Sequence, residues 1–99
     1  VYQMAARWRV PVYTHVRGRG AEGVQEAIAN AAGTGASLHI VHLNSSTRAL
    51  LPLMLDMIAG ARGRGLDITT EAYPYTAGST FIESAIFDEG WQEAQESTY

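Results

Sequence analysis

The chain contains no cysteine and no lysine, and only three prolines. Without cysteine there is neither a disulfide framework nor a thiolate metal ligand within its 99 residues, a composition that fits a reducing compartment. The seven basic residues are all arginine, scattered along a chain of net charge −3, so the basic stripe of a nucleic-acid binder is missing and no nucleic-acid partner is expected. No apolar run approaches the ~18 residues of a membrane span, and the start lacks the charged-then-apolar layout of a signal peptide. A cytoplasmic location without a membrane partner is the expectation. Internal repeats and low-complexity segments are absent as well.

What is present is ordinary globular material. An apolar content of 46% supports a core in one small domain. The first residue is Val, Val1 to Trp8 looks like a helix already under way, and Trp91 to Tyr99 carries no closing signal. We therefore expect residues 1–99 to be a piece of a larger domain with no internal boundary.

The pattern along the chain is strand, helix, strand, helix, strand. Pro11 forces Val10 out of the helical region, and Val12 to Val16 is rich in β-branched and aromatic residues, which predicts a strand over about Arg9 to Val16. After the glycines at 18, 20 and 23, apolar residues recur at three- and four-residue steps through Ala21, Val24, Ala27, Ile28, Ala31 and Ala32, predicting an amphipathic helix. Gly33 and Gly35 stop it, and the apolar strand Ser37 to Asn44 follows. Pro52 belongs in a first helical turn, so a second helix is predicted from near Ala49 to Leu51 through Gly63 or Gly65, with Leu51, Leu55, Ile58 and Ala59 as its buried stripe. Leu66 to Tyr73 reads as a third strand that Pro74 ends, and Phe81 to Ile86 as one short helix. Short, glycine-rich joints between such elements argue an α/β fold with a parallel sheet and covering helices.

In a βαβ unit the crossover returns the chain so that consecutive strands run parallel, which brings His15 and His42 to the same C-terminal edge. Chemistry in α/β folds concentrates at that edge. Two neutral imidazoles at adjacent strand ends are good ligands for a borderline metal such as zinc, provided other elements complete the coordination and leave a position for water. The alternative is a pair of packed or solvent-facing histidines. Strand alternation puts Leu38, Ile40 and His42 on one face and His39, Val41 and Leu43 on the other, and we expect the His39 face to meet the helices. Arg17 is a candidate clamp for a substrate carboxylate, or a solvated loop arginine. Asn44 is a candidate donor to a substrate oxygen, or a turn residue. Glu71 is a candidate base or partner of a ligand histidine, with a structural ion pair as the alternative. Tyr73 to Thr80 places phenols and hydroxyls on the same edge, suited to a pocket wall, with plain core packing of the tyrosines beside Pro74 as the alternative.

Gly18-Arg19-Gly20-Ala21-Glu22-Gly23 matches G-x-G-x-x-G between a strand and a helix, as a dinucleotide site demands. The acidic residue needed ~20 positions later for the ribose is missing from Leu38 to Asn44, and glycine punctuation of a loop explains the match as well.

Taken together, Tyr13-Thr14-His15-Val16-Arg17, Ile40-Val41-His42-Leu43-Asn44 and Gly65 to Thr80, ending in Tyr-Pro-Tyr-Thr-Ala-Gly-Ser-Thr, resemble the N-acyl-D-amino-acid deacylases of the amidohydrolase superfamily. The likeness covers about Arg9 to Thr80. It implies a (β/α)₈ TIM barrel, of which this chain would supply roughly strands five to seven. It further implies zinc, one or two ions, held by His15 and His42 together with residues outside this chain, and a hydrolase acting on the amide bond of an N-acyl amino acid. Tyr73 and Ser79 would bind the substrate carboxylate, with Arg17 and Asn44 as further contacts. Asn44 stands where the family carries a lysine. The family's first-strand His-x-His pair, its bridging ligand and its general-base aspartate are not in this sequence, so the chain by itself is expected to be inactive. Its expected partners are the small-molecule substrate and the remainder of the barrel or, failing that, copies of itself. Two rival readings are a nucleotide-binding oxidoreductase module built on Gly18 to Gly23 and a non-catalytic α/β module.

Overall fold

The computed structural model describes residues 1–18, 20–75 and 89. Helix α1 (Tyr2–Trp8) leads into strand β1 (Val12–Thr14), helix α2 (Glu22–Thr34) into β2 (Leu38–Ile40), and a short helix α3 (Leu43–Thr47) passes through a 3₁₀ turn (Arg48–Leu50) into α4 (Leu51–Gly63) and β3 (Ile68–Thr70). The sheet is parallel throughout, in the order β1-β2-β3, with Val12 beside Leu38 and Leu38 beside Ile68. Each strand is shorter than its apolar stretch, because pairing stops where the chain turns toward the next helix.

Local chemistry explains the joints. Pro11 stands just before β1, and the amide of Val12 donates to the carbonyl of Ser37, so the ladder opens at the first residue after the proline that has an N–H. Gly35 closes α2 in the left-handed region, at φ 77°, where a side chain would be strained, and its N–H caps the carbonyl of Ala31. Pro52 lies in the first turn of α4, where a missing donor costs nothing.

The core lies between the sheet and α2 and α4. Val12, Leu38, Ile40 and Ile68 point from the strands into it, and Val24, Ala27, Ala31, Met54 and Ile58 meet them from the helices. Burial of each large apolar side chain here stabilises the fold by about 1.5–3 kcal/mol. The buried stripe of α4 differs from the expected one. Met54 and Ile58 are buried, Leu51 and Ala61 pack at the margin, and Leu55 and Ala59 are exposed. The 3₁₀ turn feeding the helix decides which side of it meets the sheet, and the 51-54-58-61 series wins over the 51-55-58-59 series.

The other face of the sheet carries Tyr13, His39 and Thr69 in one cross-strand row, and Tyr13 is well exposed. The expectation that the His39 face would meet the helices is therefore corrected. Alternation separated the two sets of side chains properly, but the helices cover the Leu38 and Ile40 side. The expected short helix at Phe81 to Ile86 and the segment from Thr76 onward, including Ser79, lie outside the described residues. No helix among the described residues is long and apolar enough to cross a membrane.

Candidate functional site

His15 leaves the end of β1 and His42 the end of β2, and their rings meet edge to face with centroids 4.7 Å apart and Nδ1 of His15 3.0 Å from Nε2 of His42. Parallel pairing of Thr14 with Ile40, extended by a hydrogen bond from the Val41 amide to the Thr14 carbonyl, sets the two exits side by side. At His42 the backbone leaves the strand region for φ 33°, ψ 52°. That left-handed conformation costs a non-glycine residue roughly 1 kcal/mol. Its consequence is that His42 no longer follows strand alternation, and its ring swings toward His15 while Leu43 enters the core.

The surroundings fix His42 firmly. Its Nδ1 lies 2.9 Å from the hydroxyl of Ser46, one helical turn later in α3, and Ser46 itself is buried. The Leu43 amide donates to the carbonyl of Glu71, which stitches the start of α3 to the end of β3. Nothing in the residue pattern announces a helix over Leu43–Thr47, so Ser46 carries no mark as a partner of His42. The signal was the four-residue spacing from His42, which becomes informative once a helix starts there.

A two-histidine arrangement of this kind suits a cation. If His42 keeps its proton on Nδ1, donating to Ser46, Nε2 presents a lone pair, and a His15 protonated on Nε2 presents one on Nδ1. Two imidazoles on one tetrahedral zinc have facing nitrogens roughly 3.4 Å apart, given metal–nitrogen bonds of ~2.0–2.1 Å. The observed 3.0 Å is within a few tenths of that. A cation would replace a single inter-histidine hydrogen bond and leave the Ser46 contact intact. Among the described residues no third His, Cys, Asp or Glu joins the pair into a larger metal-binding cluster.

His39 is in a different situation. Its Nε2 donates to a carboxylate oxygen of Glu71 at 2.9 Å, its Nδ1 lies 2.7 Å from the Thr69 hydroxyl, and its ring stacks against Tyr13 at 4.8 Å. Both nitrogens are engaged, so Glu71 serves a side-chain pair across the open sheet face and does not approach the His15–His42 pair.

The remaining candidates gather around the same edge in part. The ring of Tyr73 stands perpendicular to that of His42 at 6.4 Å, and Tyr75 packs on Tyr73 at 5.2 Å. Asn44 engages both main-chain groups of Tyr73: its Nδ2 donates to the Tyr73 carbonyl at 2.9 Å, and its Oδ1 accepts the Tyr73 N–H at 2.6 Å. Arg17 is exposed and lines, with Tyr2, Thr14, His15, Glu26 and Asn30, an open recess of about 300 Å³. A larger apolar recess of about 560 Å³, bordered by Met4, Trp8, Val10 and Tyr13, lies beside β1 and includes neither His15 nor His42.

The glycine loop before α2 has a packing role. A Cβ on Gly23 would strike the main-chain oxygen and nitrogen of Arg17, so α2 rests directly on the exit of β1. The carboxylate of Glu22, the first residue of α2, lies against Gly20, and its negative charge opposes an anion at that helix end. Compared with known proteins, the chain matches no family model, no curated protein and no solved structure.

Proposed function

We propose that this chain is part of a zinc-dependent amidohydrolase that cleaves the amide bond of an N-acyl amino acid, of D configuration by the resemblance to the deacylases. The observation that carries the reading is the meeting of His15 and His42 at the C-terminal edge of a parallel sheet, with their nitrogens at near-ligating separation. The sheet adds support: its strands follow one another in sequence order and its helices lie on one face, as in an arc of a (β/α)₈ barrel. In a barrel, the open face with Tyr13, His39 and Thr69 would be the interior.

His15 Nδ1 and His42 Nε2 would hold the ion, completed by residues outside this chain. Zinc so bound supplies a Lewis acid and lowers the pKa of a water. The Ser46 hydroxyl, 2.9 Å from Nδ1 of His42, can accept the proton of the tautomer that leaves Nε2 open, and it holds the ring in orientation. Arg17, beside His15 in the recess, neutralises the substrate carboxylate with its planar fork, and the Tyr73 phenol and the Ser79 hydroxyl complete the anchoring.

The test is zinc titration and turnover of N-acyl amino acids by the full-length protein and its His15→Ala and His42→Ala variants. Each variant is expected to lose zinc affinity by more than the roughly 10–100-fold typical of partners outside the coordination sphere, and hydrolysis with it. Unchanged affinity and turnover in both would reject the ligand assignment.

A further inference from the structure

The Asn44 side chain treats Tyr73 as one strand treats its neighbour. A hydrogen-bonded antiparallel pair exchanges an N–H and a C=O with one facing residue, and the carboxamide of Asn44 does so with the N–H and C=O of Tyr73, at 2.6 and 2.9 Å. The main-chain ladder between β2 and β3 has already reached its last rung, with the Leu43 amide on the Glu71 carbonyl. Pro74 follows and has no N–H to offer. Asn44 thus extends sheet pairing past the end of both strands, up to the residue before the proline.

We propose that Asn44 is a positioning residue, a two-point clamp that holds the Tyr73–Tyr75 segment so that the Tyr73 phenol stands beside the histidine pair. The inference rests on the proposed function for what the phenol binds, and on the two hydrogen bonds for the clamp. An amide whose oxygen and one N–H are committed to the main chain supplies no charge to a substrate carboxylate. That charge is therefore matched elsewhere, by Arg17, and the preference for a substrate carboxylate becomes indirect at Asn44. Few side chains can replace it: aspartate keeps the acceptor but faces the Tyr73 carbonyl with a second oxygen, and glutamine is one methylene too long for a planar two-point contact.

Two measurements on the zinc-loaded full-length protein decide the matter. Amide exchange by NMR should show the Tyr73 N–H losing protection about tenfold or more in Asn44→Ala and keeping it in Tyr73→Phe, because the clamp grips the main chain. Kinetics with N-acetyl-D-alanine should show Asn44→Ala raising KM about tenfold with kcat nearly unchanged, and no further rise when the change is made in a Tyr73→Phe background. Zinc affinity should stay within about twofold in every variant. Unaltered Tyr73 protection in Asn44→Ala overturns the clamp. Additive KM effects overturn the indirect role in favour of a direct substrate contact, and lost zinc affinity overturns it in favour of support for the ion. If the wild-type protein hydrolyses no N-acyl amino acid, the proposed function falls, and the exchange measurement still upholds or overturns the clamp.

Discussion

His39 and His42 are three positions apart, yet the first has both ring nitrogens engaged by its own sheet while the second turns one toward another histidine. His39 sits within β2, in register with Tyr13 and Thr69, and the carboxylate of Glu71 completes its set of partners. His42 sits just past the strand, in a left-handed conformation that breaks alternation, and has Ser46 behind it. Residue type and neighbourhood in the chain are the same. What differs is where pairing ends: inside the ladder a histidine finds cross-strand partners, and one step beyond it the ring is free to face the next strand's exit.

The contrast is sharpest in paired substitutions. Ser46→Ala removes the Nδ1 partner of His42 and frees the ring to turn away from His15, so zinc affinity of the full-length protein should fall roughly 10–100-fold. His39→Ala should leave zinc affinity within about twofold and lower stability instead, by no more than about 1 kcal/mol, because the Thr69 and Glu71 groups it leaves are open to water. Isothermal titration with zinc and denaturant melts read the two effects separately. An equal loss of zinc binding in both variants would erase the distinction between the two histidines.

A second comparison lies along α2. Gly23→Ala would press a methyl group onto the main chain of Arg17 and the Cβ of Val16, atoms that cannot rotate aside, and should destabilise by about 1–3 kcal/mol. Gly33→Ala, on the same helix, meets nothing within 4 Å and should stabilise by about 0.5–1 kcal/mol. Equal effects in chemical denaturation would mean that the glycine at the β1 exit has no packing role.

The smallest effect concerns Tyr2, on the wall of the recess beside His15. Burial pushes its phenol above the ordinary value, with a hydrogen bond to Thr14 opposing and the Glu26 carboxylate reinforcing the shift. The folded state therefore holds this proton more tightly than the unfolded chain. The associated stability is whole below the unfolded value near 10.0 and is lost as pH rises through the higher folded value. Stability of Tyr2→Phe should accordingly fall less than that of the wild type above pH ~10.

Much of this arrangement was legible in the residues. Pro11, Gly35 and Pro52 punctuate the chain where the elements change, and the spacing of His15 and His42 across one helix placed them on one edge. The covered side of the sheet was not legible, because alternation sorts side chains into two sets without saying which set the helices choose. Leu55 was misplaced for a related reason: a 3₁₀ turn at Arg48–Leu50 sets which side of α4 faces inward, and nothing in the apolar spacing announces it. Asn44 and Ser46 depended on tertiary placement. The partner of Asn44 lies 29 residues away, and that of Ser46 waited on a helix that begins at Leu43.

The proposed site needs one ion shared by His15 and His42. Imidazole ¹⁵N spectra of the full-length protein, recorded as zinc is added, test this most directly. His15 Nδ1 and His42 Nε2 are expected to shift together at one equivalent, with the His39 nitrogens unmoved. Movement of only one of the two rings, or of His39 in their place, would contradict the shared site.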